Sequence, residues 1–153
     1  MHRRQLRSLI GAIAGLAVLS SGCSSAIKVV PFEGADENPA CTQIAEQWPT
    51  TVGGQSARVT AVDSDTVAAW GDPAIIARCG APILGPTTEQ CLDIAGIDWV
   101  AVTLDDGVRF TTFGRDPALE VLVPDAYTPE ALLMPAFTPV TQTIDQTLGQ
   151  CSG

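Results

Sequence analysis

Apolar residues cluster first at 9–19, a run of Leu, Ile, Ala and Gly without a charge. It lies between a basic head carrying Arg3, Arg4 and Arg7 and the small residues Ser20-Ser21-Gly22, which precede Cys23. That order is the secretory-signal pattern, with small residues where a peptidase must fit the backbone. The next clear period is at 41–48 (CTQIAEQW), where Ile44, Ala45 and Trp48 share one helical face; Asn38-Pro39 starts this helix and Pro49 stops it. Residues 50–56 read as a Gly-containing loop. Short strands are expected at 58–62 and 66–70, around the polar turn Asp63-Ser64-Asp65. The most apolar strand is expected at 74–79, between Gly71-Asp72-Pro73 and Gly80.

After a loop at 82–90, runs at 98–104 and 108–113 flank Asp105-Asp106-Gly107, a hairpin signal. A turn at 114–117 leads into 118–123, where Leu119, Val121 and Val123 alternate with Glu120 and Leu122. Thr128-Pro129-Glu130 resembles a helix start, followed by a stripe of Leu132, Leu133, Ala136, Val140, Ile144 and Leu148 that Pro135 and Pro139 kink. The expected fold is α+β: an antiparallel meander sheet of about five or six strands, with a short N-terminal helix and a longer Pro-kinked C-terminal helix covering one face, stapled by disulfides.

Three segments follow: a signal peptide at 1–22, a lipidated Cys23 with a flexible tether at 23–39, and one extracytoplasmic globular domain at 40–153. Cysteine at the cleavage point is the lipoprotein variant, in which the thiol receives a diacylglyceryl group, making the membrane the first expected partner. Ser20 stands where lipoproteins usually carry Leu, and Leu19 is one place earlier. Ordinary secretion and an uncleaved anchor helix are the rival readings. No charge occurs between Ser8 and Ile27, enough to span a bilayer, but the Ser, Gly and Cys of its second half suit a lipid-facing helix poorly. The tether would reach roughly 50 Å fully extended.

The net charge is −9. Without Arg3, Arg4 and Arg7, five basic residues face seventeen acidic ones, and Lys28 is the only lysine left. Such a surface repels phosphate backbones, so no nucleic-acid partner is expected. The only histidine, His2, lies in the signal, which excludes histidine-dependent triads and histidine-ligated metals from the mature chain. No two cysteines lie two to four residues apart, so a zinc site is not expected either. No catalytic residue, cofactor or metal is assigned.

With Cys23 lipidated, Cys41, Cys79, Cys91 and Cys151 make an even set, for which three pairings exist. Cys41–Cys79 with Cys91–Cys151 is favoured, because it ties each presumed terminal helix to the sheet. Trp70-Gly71-Asp72-Pro73 reads as a structural turn with Trp70 in the core, against a binding corner with Trp70 as platform. Arg78 and Arg115 are expected in internal ion pairs with Asp72, Asp98 or Asp116, against gripping a carboxylate or phosphate ligand. Asp63 with Asp65, and Asp105 with Asp106, read as turn residues and lack calcium-loop spacing.

Together Ala69-Trp70-Gly71-Asp72-Pro73, Arg78-Cys79-Gly80, Asp98-Trp99, Thr112-Phe113-Gly114-Arg115, Val123-Pro124 and Tyr127 resemble the actinobacterial lipoproteins grouped as domain of unknown function 3515. The resemblance runs from Ala40-Cys41 to the end of the last helix. It implies that Cys41 and Cys79 are family cysteines, which supports their pairing, and it carries over no activity. Trp70, Asp72, Arg78, Trp99 and Arg115 are the candidate ligand-binding or structural positions. The leading expectation is a tethered, non-catalytic binding or adaptor module for an envelope protein or small ligand. A carrier of a lipid or small apolar ligand comes second, and a carboxylate-based hydrolase third.

Overall fold

The structure is a computed structural model that describes residues 25–151. The expected signal peptide and the expected lipid site at Cys23 lie outside the described residues.

Asn38 opens the first helix by accepting the Ala40 amide at 2.9 Å on its Oδ1. Pro39 occupies the first turn, where amides have no intrahelical partner to lose. This helix, α1 (Pro39–Ala45), buries Cys41 and Ile44 and stops short of Trp48, which had been expected inside it. Eight strands follow: β1 (Thr51–Val52), β2 (Gln55–Arg58), β3 (Val67–Trp70), β4 (Ile75–Ala81), β5 (Gln90–Ile94), β6 (Ile97–Leu104), β7 (Gly107–Thr112) and β8 (Ala118–Pro124). Their order, β1-β2-β3-β4-β8-β7-β6-β5, is two antiparallel meanders joined where β4 pairs with β8.

The sheet is larger than the expected five or six strands because two tight hairpins escaped the sequence reading. Gly53-Gly54 turns β1 into β2 with φ of 56° and 78°, so the presumed loop at 50–56 is a hairpin. Ala95-Gly96 turns β5 into β6 with φ of 54° and 79°, a conformation that alanine seldom advertises. Conversely, the strand expected at 58–62 is absent beyond Arg58; there Thr60 makes only a parallel bridge with Ile27.

One face of the sheet carries Ile75, Ala77, Cys79, Trp99, Phe110, Leu119, Val121 and Val123, fully or almost fully buried. The covering layer is α1 and a C-terminal segment contributing Met134, Phe137, Val140 and Ile144. That segment is not the long kinked helix expected from its apolar stripe. Short 3-10 turns, Asp125–Tyr127 and Glu130–Phe137, precede a single α-turn, α2 (Thr138–Thr141). Pro135 lies inside the second 3-10 segment and Pro139 in the first turn of α2, each removing an amide that a continuous α-helix would need. The stripe breaks accordingly: Leu132 and Leu148 are exposed, while Met134 and Phe137 point inward.

Part of the segment expected as a flexible tether instead packs on the domain. The Ile27 amide donates to the Val59 carbonyl and the Ala61 amide to the Ile27 carbonyl, both at 2.8 Å. Phe32 lies under the Arg78 guanidinium, 4.2 Å from its ring centroid. Ala35 is buried beside Gly80, where an added Cβ would stand 3.1 Å from that of Ala35. These apolar contacts are too sparse to give a sequence period, which is why composition alone read the stretch as unstructured.

Candidate functional site

Both expected disulfides are present: Cys41–Cys79 joins α1 to β4, and Cys91–Cys151 joins β5 to the C-terminal end of the described chain. The second bridge therefore ties down an irregular segment, where a helix was expected.

The five candidate ligand positions do not converge. Trp70 is wholly buried; its Nε1 donates to the Pro49 carbonyl at 2.8 Å, and its ring meets Phe137 edge-on at 5.5 Å. It is core, not a platform. Gly71 is held there because a side chain would collide with the Tyr127 hydroxyl and with Gln55. Tyr127 in turn donates to the Pro73 carbonyl at 2.7 Å, so the corner is fastened from within, and Asp72 remains exposed on it. Trp99 is also wholly buried in the core, with no partner for its Nε1 among the described residues.

The two arginines make different contacts from those expected. Arg78 pairs with Glu120, its cross-strand neighbour on β8, and not with Asp72. Its Nε donates to Glu120 Oε1 at 3.0 Å and its Nη1 to the Val30 carbonyl at 3.0 Å. It thus fastens the N-terminal segment to the sheet. Among the described residues Arg115 has no ion-pair partner; its Nη1 donates to the carbonyls of Ile144 and, at 3.4 Å, Thr141. Burial lowers the pKa of its guanidinium, while the charges of Asp98 and Asp145 pull it back up. Sequence could not foresee this, because the acceptors are backbone carbonyls.

A groove that sequence reasoning did not single out lies on the other face of the sheet. β4 ends in the middle of the sheet and β5 starts at its edge, so residues 82–89 must cross β8, β7 and β6. Four strand spacings are roughly 19 Å, and eight residues cover that with slack. Under this crossing is an open cleft of about 330 Å³. Ala81, Pro82, Leu84, Thr87 and Glu89 line the side of the crossing, and Val100, Val102, Arg109, Thr111 and Glu120 line the sheet side. Val100 pairs with Thr111, Thr111 with Glu120, and Val102 with Arg109, so the sheet-side residues form two cross-strand rows. Among the described residues the only ion pair is Arg78–Glu120, leaving Arg109 a half-buried cation with no carboxylate partner. The available signal was the alternation in β6 and β7, where Trp99 and Phe110 face the core while Val100, Arg109 and Thr111 face away.

Glu120→Ala leaves the half-buried Arg78 without its partner and loosens the N-terminal segment. It should lower stability by about 1–2 kcal/mol, read by urea unfolding. A change under about 0.5 kcal/mol would show the pair to be worth no more than an exposed one.

Among the described residues no three His, Cys, Asp or Glu side chains are grouped to hold a metal, and no helix is long and apolar enough to cross a membrane. The family model described as a protein of unknown function, DUF3515, matches residues 7–151. No curated protein and no solved structure matches the chain.

Proposed function

The chain belongs to the DUF3515 family of proteins of unknown function, and from that premise we propose that it is a lipid-anchored, non-catalytic binding module of the cell envelope. The anchor is Cys23, behind a basic, apolar and small-residue signal. The observation that carries the binding role is the groove under residues 82–89. It combines apolar walls with one unpaired cation, Arg109, in a strongly acidic chain. Of the two carboxylates in the cleft, Glu120 is taken by Arg78 and Glu89 makes no ion pair with Arg109, so this half-buried cation is left to an anionic group brought by the ligand.

The matching ligand is a small carboxylate with a compact apolar body, either free or as an acidic group projecting from an envelope protein. If the protein carries cargo, the volume favours a single short chain over a two-chain lipid, since about 330 Å³ is at the small end of ligand pockets.

Octanoate is a suitable probe, with octanol as the uncharged control. Titrated into the oxidised protein, octanoate should shift the backbone amide resonances of Val100, Val102 and Thr111, and octanol should do so less. Arg109→Ala should weaken octanoate binding about tenfold, the worth of one charge-assisted hydrogen bond. Unmoved groove resonances at saturating octanoate, or equal binding by the variant, would reject the groove as the site.

A further inference from the structure

We propose that the edge built from residues 26–30 and 59–61 lies against the lipid surface, so that the domain is held flat on the membrane and not lifted away from it. This rests on the lipid anchor at Cys23 proposed above, and it concerns what that anchor does to the domain.

The first argument is length. Arg58 Nη2 donates to the Ser25 carbonyl at 3.1 Å while its Nη1 holds the Gly71 carbonyl at 2.7 Å. Ser25, only two residues after Cys23, is thus already fastened to the end of β2. Ile27 is fastened next, through its two backbone hydrogen bonds to the 59–61 stretch. Fully extended, two residues reach about 7 Å and four reach about 14 Å. The slack between a lipidated Cys23 and the folded domain is therefore close to one Debye length at physiological salt, about 8 Å. A tether of the expected sixteen residues would have left orientation free; this one does not.

The second argument is the character of the surface that this short link brings down. In the bridge between Ile27 and Thr60 both residues are half-buried, whereas Lys28, Val59 and Ala61 are exposed on the opposite side. Val59 is 76% exposed and Val30 is 72% exposed, which gives this edge two of the most exposed aliphatic side chains in the domain. Lys28, exposed two residues before Val30 and next to the bridged Ile27, is the only lysine after Cys23. An acidic protein that keeps its lysine beside bare valines, at the point where its anchor attaches, presents the composition that an anionic headgroup layer accepts: a basic residue near the surface contributes about 1 kcal/mol, and valines can dip into the interface.

The single lysine makes the test direct. The full chain is produced in a host that processes lipoproteins and reconstituted into vesicles of equal parts phosphatidylglycerol and phosphatidylcholine. It is then treated with an amine-reactive ester, and peptide mass spectrometry reads both the acyl mass on Cys23 and the modification rate of Lys28. On vesicles, Lys28 should react about tenfold more slowly than in the soluble Cys23→Ser protein. A Gly-Ser spacer inserted between Ser24 and Ser25, or Val59→Asp, should restore the rate. Acylated protein in which Lys28 reacts as fast as in the soluble form overturns the apposed edge and leaves the anchor standing. An N-terminal peptide with no acyl mass overturns the anchor itself, and this surface with it.

Discussion

Replacing Cys41 and Cys79 together by alanine should lower stability by about 4 kcal/mol, and the midpoint of thermal unfolding by roughly 10–20 °C. The bridge closes a sequence separation of 38 residues. In the chain-entropy account, that constraint on the unfolded state by itself accounts for about this much, before any cavity is counted. The Cys91–Cys151 bridge closes 60 residues and, on entropy alone, would be worth about 0.4 kcal/mol more. Burial reverses the order. Cys41 and Cys79 are wholly buried among Ile44, Trp70 and Phe137 in one core cluster, so removing their sulfurs also opens a cavity. Cys91 and Cys151 are only half-buried, and the segment they hold can detach locally without unfolding the sheet. Calorimetry of the two double variants side by side decides the matter. If the Cys91/Cys151 variant melts at or below the Cys41/Cys79 variant, the C-terminal segment is integral to the core, and the cavity argument fails.

Arg115→Met should cost about 2–4 kcal/mol, because it leaves the Ile144 and Thr141 carbonyls without their donor at a buried position. Methionine keeps much of the volume, so the loss reports the hydrogen bonds and charge more than packing. Arg115→Lys keeps the charge but cannot present two donors in one plane, and should recover about half of the loss. Urea unfolding measures the cost, and hydrogen exchange should quicken selectively at Gln142, Ile144 and Thr147. Should Arg115→Met fall within about 0.5 kcal/mol of the native protein, the buried cation is no better than an apolar filler there, as replacement of buried ions sometimes shows.

The parts of the fold legible in the sequence were those whose signal is local. Asn38-Pro39 announced α1 through capping chemistry. Asp105-Asp106 announced the β6–β7 hairpin, and the alternation of Leu119, Val121 and Val123 announced β8. What was missed was also local, but written in ambiguous residues. Gly53-Gly54 looks like loop as readily as hairpin, and Ala95 adopts a left-handed turn that its side chain does not favour. The C-terminal stripe misled because periodicity ignores the missing amides of Pro135 and Pro139.

The candidate site was hardly legible at all. Trp70, Asp72, Arg78, Trp99 and Arg115 drew attention by residue type as ligand-binding or structural positions, and their contacts are those of core, turn and structural fastening, in line with the favoured reading of Trp70-Gly71-Asp72-Pro73 as a turn. Arg109 did not stand out, because its meaning depends on what is absent around it. By itself the sequence determined the signal pattern, the acidic balance, the cysteine set and the β6–β7 hairpin, since these rest on composition and on contacts between near neighbours. Only the tertiary structure decided that β4 pairs with β8, that residues 82–89 must therefore cross the sheet, and that a groove opens beneath them with Arg109 unpaired. Strand order and the company a charge keeps are fixed by long-range burial, which brings together residues that no spacing along the chain connects.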